Sequence, residues 1–171
     1  MRKILIILGL FLLPNLCFAK DVLDFNFPNE GWHKVDSPDK IAYKKCFVPH
    51  NQTAENYTEM LVFVGRKTKT EGIAPMTILH KQIGKDKLNY SDIEPEYIKQ
   101  ELNDSMIAWC SQSKNTCAIK RAFQGKEGIV VATYINKMPH YSQNMFGQWS
   151  NILGSIKVYD NVSAKGTLIE L

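Results

Sequence analysis

Apolar and polar positions along this chain alternate in two rhythms, one of period two and one close to a helical turn. Val22, Asp24, Phe25 and Phe27 alternate loosely and run into Pro28-Asn29-Glu30-Gly31, a strand closed by a turn. Residues 41–48 form a second strand pattern ended by Pro49. Glu59 to Val64 is a nearly unbroken apolar run of strand length, which suits a covered position in a sheet. The rhythm changes at Pro75. Met76, Leu79 and Ile83 recur at helical spacing, Pro75 suits the first helical position, and Lys81, Lys85 and Lys87 gather where the helix dipole favours cations. A second helix is predicted from Ser91-Asp92, with Pro95 early and Ile98 and Leu102 one turn apart. From Met106 strand chemistry returns: "MIAWC", "CAIKRAF" and, after Gly125-Lys126-Glu127-Gly128, "IVVATYI" predict a three-stranded meander. A last helix over 142–156 sets Phe146, Trp149, Ile152, Leu153 and Ile156 on one stripe. This order predicts an α+β fold: a mostly antiparallel sheet with two to three helices packed on one face.

The first residues read differently. Met1-Arg2-Lys3 precede a short apolar stretch from Ile4 to Leu13, and Cys17 and Ala19 supply small residues before a cleavage point. That is the pattern of a secretory signal over residues 1–19. The run is broken by Pro14 and falls short of the roughly 18 apolar residues that span a bilayer. The expected organisation is a signal peptide over 1–19, one domain over 20–160 and a C-terminal tail over 161–171, with no transmembrane segment after cleavage. Loss of Arg2 and Lys3 takes the basic count from 21 to 19 against 17 acids, a net of +2. So weak a charge does not call for a polyanion. The basic stretch Lys114 to Arg121 lacks interleaved aromatics, so no nucleic-acid partner is expected.

In an oxidising compartment the cysteines acquire meaning. Cys110 and Cys117 end one predicted strand and begin the next, where opposed Cα atoms lie within disulfide range, so a staple is the expected reading. Structural zinc needs four ligands, and His33, His50, His80 and His140 show no pairing in the linear sequence; no metal and no cofactor are expected. Cys46 is left over, either as a small core residue, as a partner in an intermolecular bond, or as a nucleophile assisted by His50 or His140. The chain carries no Gly-rich phosphate loop, no G-x-S-x-G elbow and no paired-histidine helix.

The segment "FVPHNQTAENYTEMLVFV", with "RAFQGKEGIVVATYI" and "QWSNILGSIKVYD" downstream, resembles a group of small exported proteobacterial proteins that carry an F-V-P turn followed by E-N-W-T-E-M-L. Here Tyr57 stands in place of the tryptophan. The resemblance implies export, secreted or periplasmic, and a shared domain, and it designates no catalytic residues. Proteins of this look in Legionella-like bacteria include type II secretion substrates, which implies a virulence or envelope role. The pattern is also similar to PsbP or Mog1-type α/β/α sandwiches.

The leading functional expectation is a non-enzymatic module that binds another protein or a surface ligand, with Tyr57, His140 and Tyr141 as candidate binding residues. Two alternatives stay open: a small secreted hydrolase with a Cys/His or Ser/His site, and a periplasmic subunit of a secretion machine.

Overall fold

A computed structural model describes residues 21–28, 31–37, 39, 44–67, 72–137, 143–158 and 166–171. The expected signal peptide lies outside the described residues, as do His140 and Tyr141. The strands are β1 (Val22–Phe25), β2 (Trp32–Val35), β3 (Lys44–Pro49), β4 (Glu59–Lys67), β5 (Glu96–Glu101), β6 (Asp104–Ser111), β7 (Thr116–Gln124), β8 (Gly128–Asn136), β9 (Lys157–Val158) and β10 (Thr167–Glu170). The helices are α1 (Pro75–Asn89) and α2 (Gln143–Ser155). Seven strands form one sheet in the order β2-β3-β4-β8-β7-β6-β5, and three form a second in the order β10-β1-β9, all antiparallel.

β7 and β8 lie at the centre because they are buried on both faces, which is why "CAIKRAF" and "IVVATYI" read as continuous runs rather than alternating ones. On one face α1 lays Ile78, Leu79 and Ile83 against Ile107, Trp109, Ala118, Ala122, Ile129 and Val131. On the other face Trp149 and Leu153 of α2, with Ile156, join Leu23, Phe25 and Ile169 of the small sheet over Phe63, Ile119, Val130 and Ala132. Two consecutive basic residues of β7 tie the layers together, since neighbouring side chains on a strand point to opposite faces. Lys120 pairs with Asp86 of α1, which also accepts a hydrogen bond from Trp109 Nε1 at 3.0 Å. Arg121 forks onto Asp104 and donates to the carbonyls of Leu153 and Ile156 at 2.7 and 2.9 Å, capping the end of α2. The two core-most members of the basic stretch 114–121 are therefore structural.

The α+β expectation is corrected in its balance and its layering. The described residues are 47% strand and 22% helical, with two helices. These helices cover opposite faces of the large sheet, and one of those faces is shared with a second sheet, so neither the one-faced arrangement nor the PsbP/Mog1-type α/β/α sandwich is obtained. The helix predicted from Ser91 is replaced by β5. Glu101 pairs with Asp104 across the two-residue turn Leu102-Asn103, and the pairing continues to Glu96–Ala108 with a bulge at Ile98. Pairing to the open edge of β6 outweighs the helical spacing of Ile98 and Leu102, and both of these side chains are exposed.

β2, which the pattern at "GWHKVD" does not announce, pairs with β3. β10, in the stretch expected to be a tail, pairs with β1 along Val22–Phe25. Asp21 links Leu171 to the turn between β7 and β8. The Asp21 carboxylate accepts from the backbone N–H of Lys126 at 2.7 Å, and the Asp21 carbonyl accepts from Leu171 N at 2.9 Å. A Cβ on Gly125 would sit 2.6 Å from that carboxylate, so any larger residue there displaces the Asp21 side chain from the turn.

Candidate functional site

Cys110 and Cys117 face each other on β6 and β7 and are joined by a disulfide, with Cα atoms 4.0 Å apart. The pair belongs to a row that crosses four strands: Glu59 on β4, Asn136 on β8, Cys117 on β7 and Cys110 on β6. The row lies on the α2 side of the sheet.

Its inner half is a buried polar knot. The Tyr134 hydroxyl donates a short hydrogen bond to the Glu59 carboxylate, and Asn136 Nδ2 donates to that hydroxyl at 3.0 Å and meets Met145 Sδ at 3.1 Å. The Tyr134 ring stacks on Trp149 with centroids 3.8 Å apart. Burial, reinforced by the Glu59 carboxylate, pushes the Tyr134 phenol well above the ordinary tyrosine range, so it works here as a neutral donor. A cavity of about 10 Å³ between Tyr134, Asn136, Met145, Phe146 and Cys117 is the size of a single water-sized sphere.

The outer half opens into a groove of about 470 Å³. Ala108, Trp109, Cys110 and Phe146 line it with Gln112, and Asp92, Glu94 and Glu96 supply three exposed carboxyl groups. Phe146 borders both the small cavity and the groove, placing the first turns of α2 beside the disulfide. The groove exists because β5 leaves its partner early: the β5–β6 ladder ends at Glu96–Ala108 while β6 continues to Ser111. The short Cα separation of Cys110 and Cys117 matches a pair that exchanges no backbone hydrogen bonds with each other. The backbone N–H and C=O of Cys110 consequently point away from β7, towards the groove. Asp92 closes the far end, accepting from Ser111 Oγ at 2.6 Å and from Ser113 N at 2.9 Å. Those two hydrogen bonds, Ser111 first, lower its pKa to about 2, so it stays ionised under all ordinary conditions.

Tyr57, the first candidate binding residue, stands elsewhere. It is half-buried over the cluster of Cys46, Val48 and Met60, which Val35, Ala54 and Val62 also cover, and Lys137 Nζ lies 3.7 Å above its ring. Cys46 is buried, and burial raises its thiol pKa, which disfavours the thiolate that a Cys/His site requires. Trp32 packs edge-on against Trp149 at 5.6 Å and joins the core. The structure does bring together a histidine pair that linear spacing hid: His33 and His50, with ring centroids 6.3 Å apart. The groove carboxylates fall in the stretch whose spacing predicts a second helix, and no signal in that spacing betrays that they line a recess.

Among the described residues no group of three or more His, Cys, Asp and Glu side chains is arranged to hold a metal ion. Among the same residues no helix is long and apolar enough to cross a membrane. Comparison with protein-family models, with curated proteins and with solved structures finds no match.

Proposed function

We propose that the protein is an exported binding module, secreted or periplasmic, that holds a cationic segment of a protein partner in the groove beside the Cys110–Cys117 disulfide. The observation that carries this reading is the groove itself. Three carboxyl groups border a recess of about 470 Å³ whose wall includes aromatic and apolar side chains and one strand rung that points outward. A lysine or arginine side chain has an apolar stem and a charged head, and such a wall suits the first while the rim suits the second. The backbone of Cys110 offers an extended peptide one rung of strand pairing. Export is supported by the leader pattern of residues 1–19 and by a disulfide of a kind that persists in oxidising compartments. The resemblance to small exported proteobacterial proteins, with type II secretion among their routes, points the same way. A hydrolase built on Cys46 is disfavoured by the buried, neutral thiol.

Fluorescence polarisation with a labelled lysine- and arginine-rich decapeptide, against its glutamate-substituted counterpart, tests the binding step. The cationic peptide is expected to bind selectively and more weakly as salt rises. The double variant Glu94→Lys/Glu96→Lys is expected to weaken it at least tenfold, whereas Glu55→Lys, exposed in the loop between β3 and β4 and not part of the groove lining, leaves it within twofold. Equal binding of the two peptides, or an unaffected double variant, sinks the groove. Fractionation of the native cells, with disulfide mapping, tests export separately: recovery from the cytosol with the leader intact and Cys110 and Cys117 reduced overturns it.

A further inference from the structure

His33 and His50 are exposed, come from different strands and share one face at the β2 edge of the large sheet. β2 pairs with β3 so that His33 lies opposite Val48, and His50 follows Val48 by two positions, which restores the same face. The imidazole centroids are 6.3 Å apart with their planes at 78°. The turn after β3 holds His50 in place: Gln52 N donates to the Pro49 carbonyl at 3.2 Å and Asn51 takes a left-handed φ of 65°, while a Cβ added at Gly31 would already lie 3.5 Å from the His50 Cβ.

We propose that His33 and His50 form a two-histidine site for a divalent late transition-metal ion, with copper(II) bound most tightly. Imidazole nitrogens coordinate such ions at about 2.0 to 2.1 Å, which places a metal roughly 3.2 Å from each ring centre. Two rings sharing one ion therefore have centroids from about 4.5 Å apart at a right angle to about 6.4 Å in line. The observed separation lies at the in-line end of that span, so two imidazoles that turn to face one ion take nearly opposite positions on it, an arrangement that a tetragonal copper(II) ion accepts. Imidazole ligands select copper, nickel and zinc over calcium and magnesium, and copper(II) stands highest among them for a given nitrogen site. Two protein ligands leave the remaining coordination positions to water or to an incoming donor. Bound metal clips the edge strand β2 to β3, which in the described residues are otherwise joined by four paired positions. This site is independent of the groove and of the function proposed for it.

The test is calorimetric titration of the disulfide-oxidised protein, carrying no histidine tag, with copper(II) chloride, paired with electron paramagnetic resonance of the one-to-one complex. One equivalent is expected to bind with nitrogen hyperfine structure. His33→Asn and His50→Asn are each expected to weaken binding at least tenfold while melting as the metal-free parent does. His80→Asn on α1 and Glu94→Lys/Glu96→Lys in the groove are expected to leave it within twofold. Zinc chloride is expected to bind more weakly, and magnesium chloride not at all. The proposal is overturned if copper(II) binds no more tightly than magnesium, if either of the two single variants keeps its affinity within twofold, or if the groove variant is the one that loses it.

Discussion

Replacing Arg121 with methionine removes a charge that holds three elements together, and the structure sets the size of the effect. Arg121 is 7% exposed and makes four donor contacts: Nε and Nη2 to the Asp104 carboxylate at 2.8 and 2.9 Å, and Nη1 to the Leu153 and Ile156 carbonyls at 2.7 and 2.9 Å. Its guanidinium also lies 4.4 Å from the centroid of the Phe123 ring. Breaking a buried ion pair by deleting one partner costs about 3 to 5 kcal/mol, because the other charge is left uncompensated. Here Lys99 Nζ, 2.6 Å from Asp104, still neutralises part of that charge, which argues for the lower end. Two carbonyls at the end of α2 lose a charged donor at about 1 kcal/mol each, and part of this is recovered by water at a helix terminus. The net expectation is about 4 kcal/mol, or a melting temperature lower by roughly 8 to 16 °C for a domain of this size.

Arg121→Lys keeps the charge and loses the fork, so it should fall about midway between wild type and Arg121→Met. The assay is chemical denaturation followed by circular dichroism, with both variants at neutral pH. Burial raises the Asp104 pKa, but Arg121 and Lys99 outweigh it and the net shift is downward. A carboxyl group lowered in the folded state adds stability above its unfolded pKa and loses it as the pH falls through the folded value. The gap between wild type and Arg121→Met should therefore narrow in acid, below about pH 4. If Arg121→Met lies within 1 kcal/mol of wild type, or Arg121→Lys is as unstable as Arg121→Met, the clamp does not work as described.

Two further outcomes follow from the site. Reducing Cys110–Cys117, or replacing both with alanine, opens a loop of sequence separation 7 and should cost about 2.5 kcal/mol in denaturant unfolding, with the fold retained. Ser111→Ala removes the leading cause of the lowered Asp92 pKa, so carbon-detected NMR titration should move that group up from about 2 towards 3.8, and an unchanged titration would refute the assigned hydrogen bond.

Much of the strand framework was legible because it is written in local chemistry. The runs at 59–64 and from Met106 to Ile135 carry enough β-branched and aromatic residues, and the right turn glycines, to declare themselves. α1 was legible from Pro75 and its lysines, and α2 from its apolar stripe. The disulfide followed from two cysteines flanking a turn. β5 was misread because Ile98 and Leu102 fit a helix as well as a strand, and only the open edge of β6 decides between them. Lys120 and Arg121 gave no local hint of burial, since a charge goes inside only where a distant partner, Asp86 or Asp104, is delivered to it.

By itself, then, the amino-acid order determined the leader pattern, the staple, the central meander and two helices, all of which rest on neighbours within a few positions. Tertiary structure alone decided that two helices take opposite faces, that Asp92, Glu94 and Glu96 border a recess, and that His33 meets His50. Those facts depend on which edges pair, in which register and over which faces of the sheet. Register is set by the burial of whole faces at once, a sum over distant residues that no short stretch encodes.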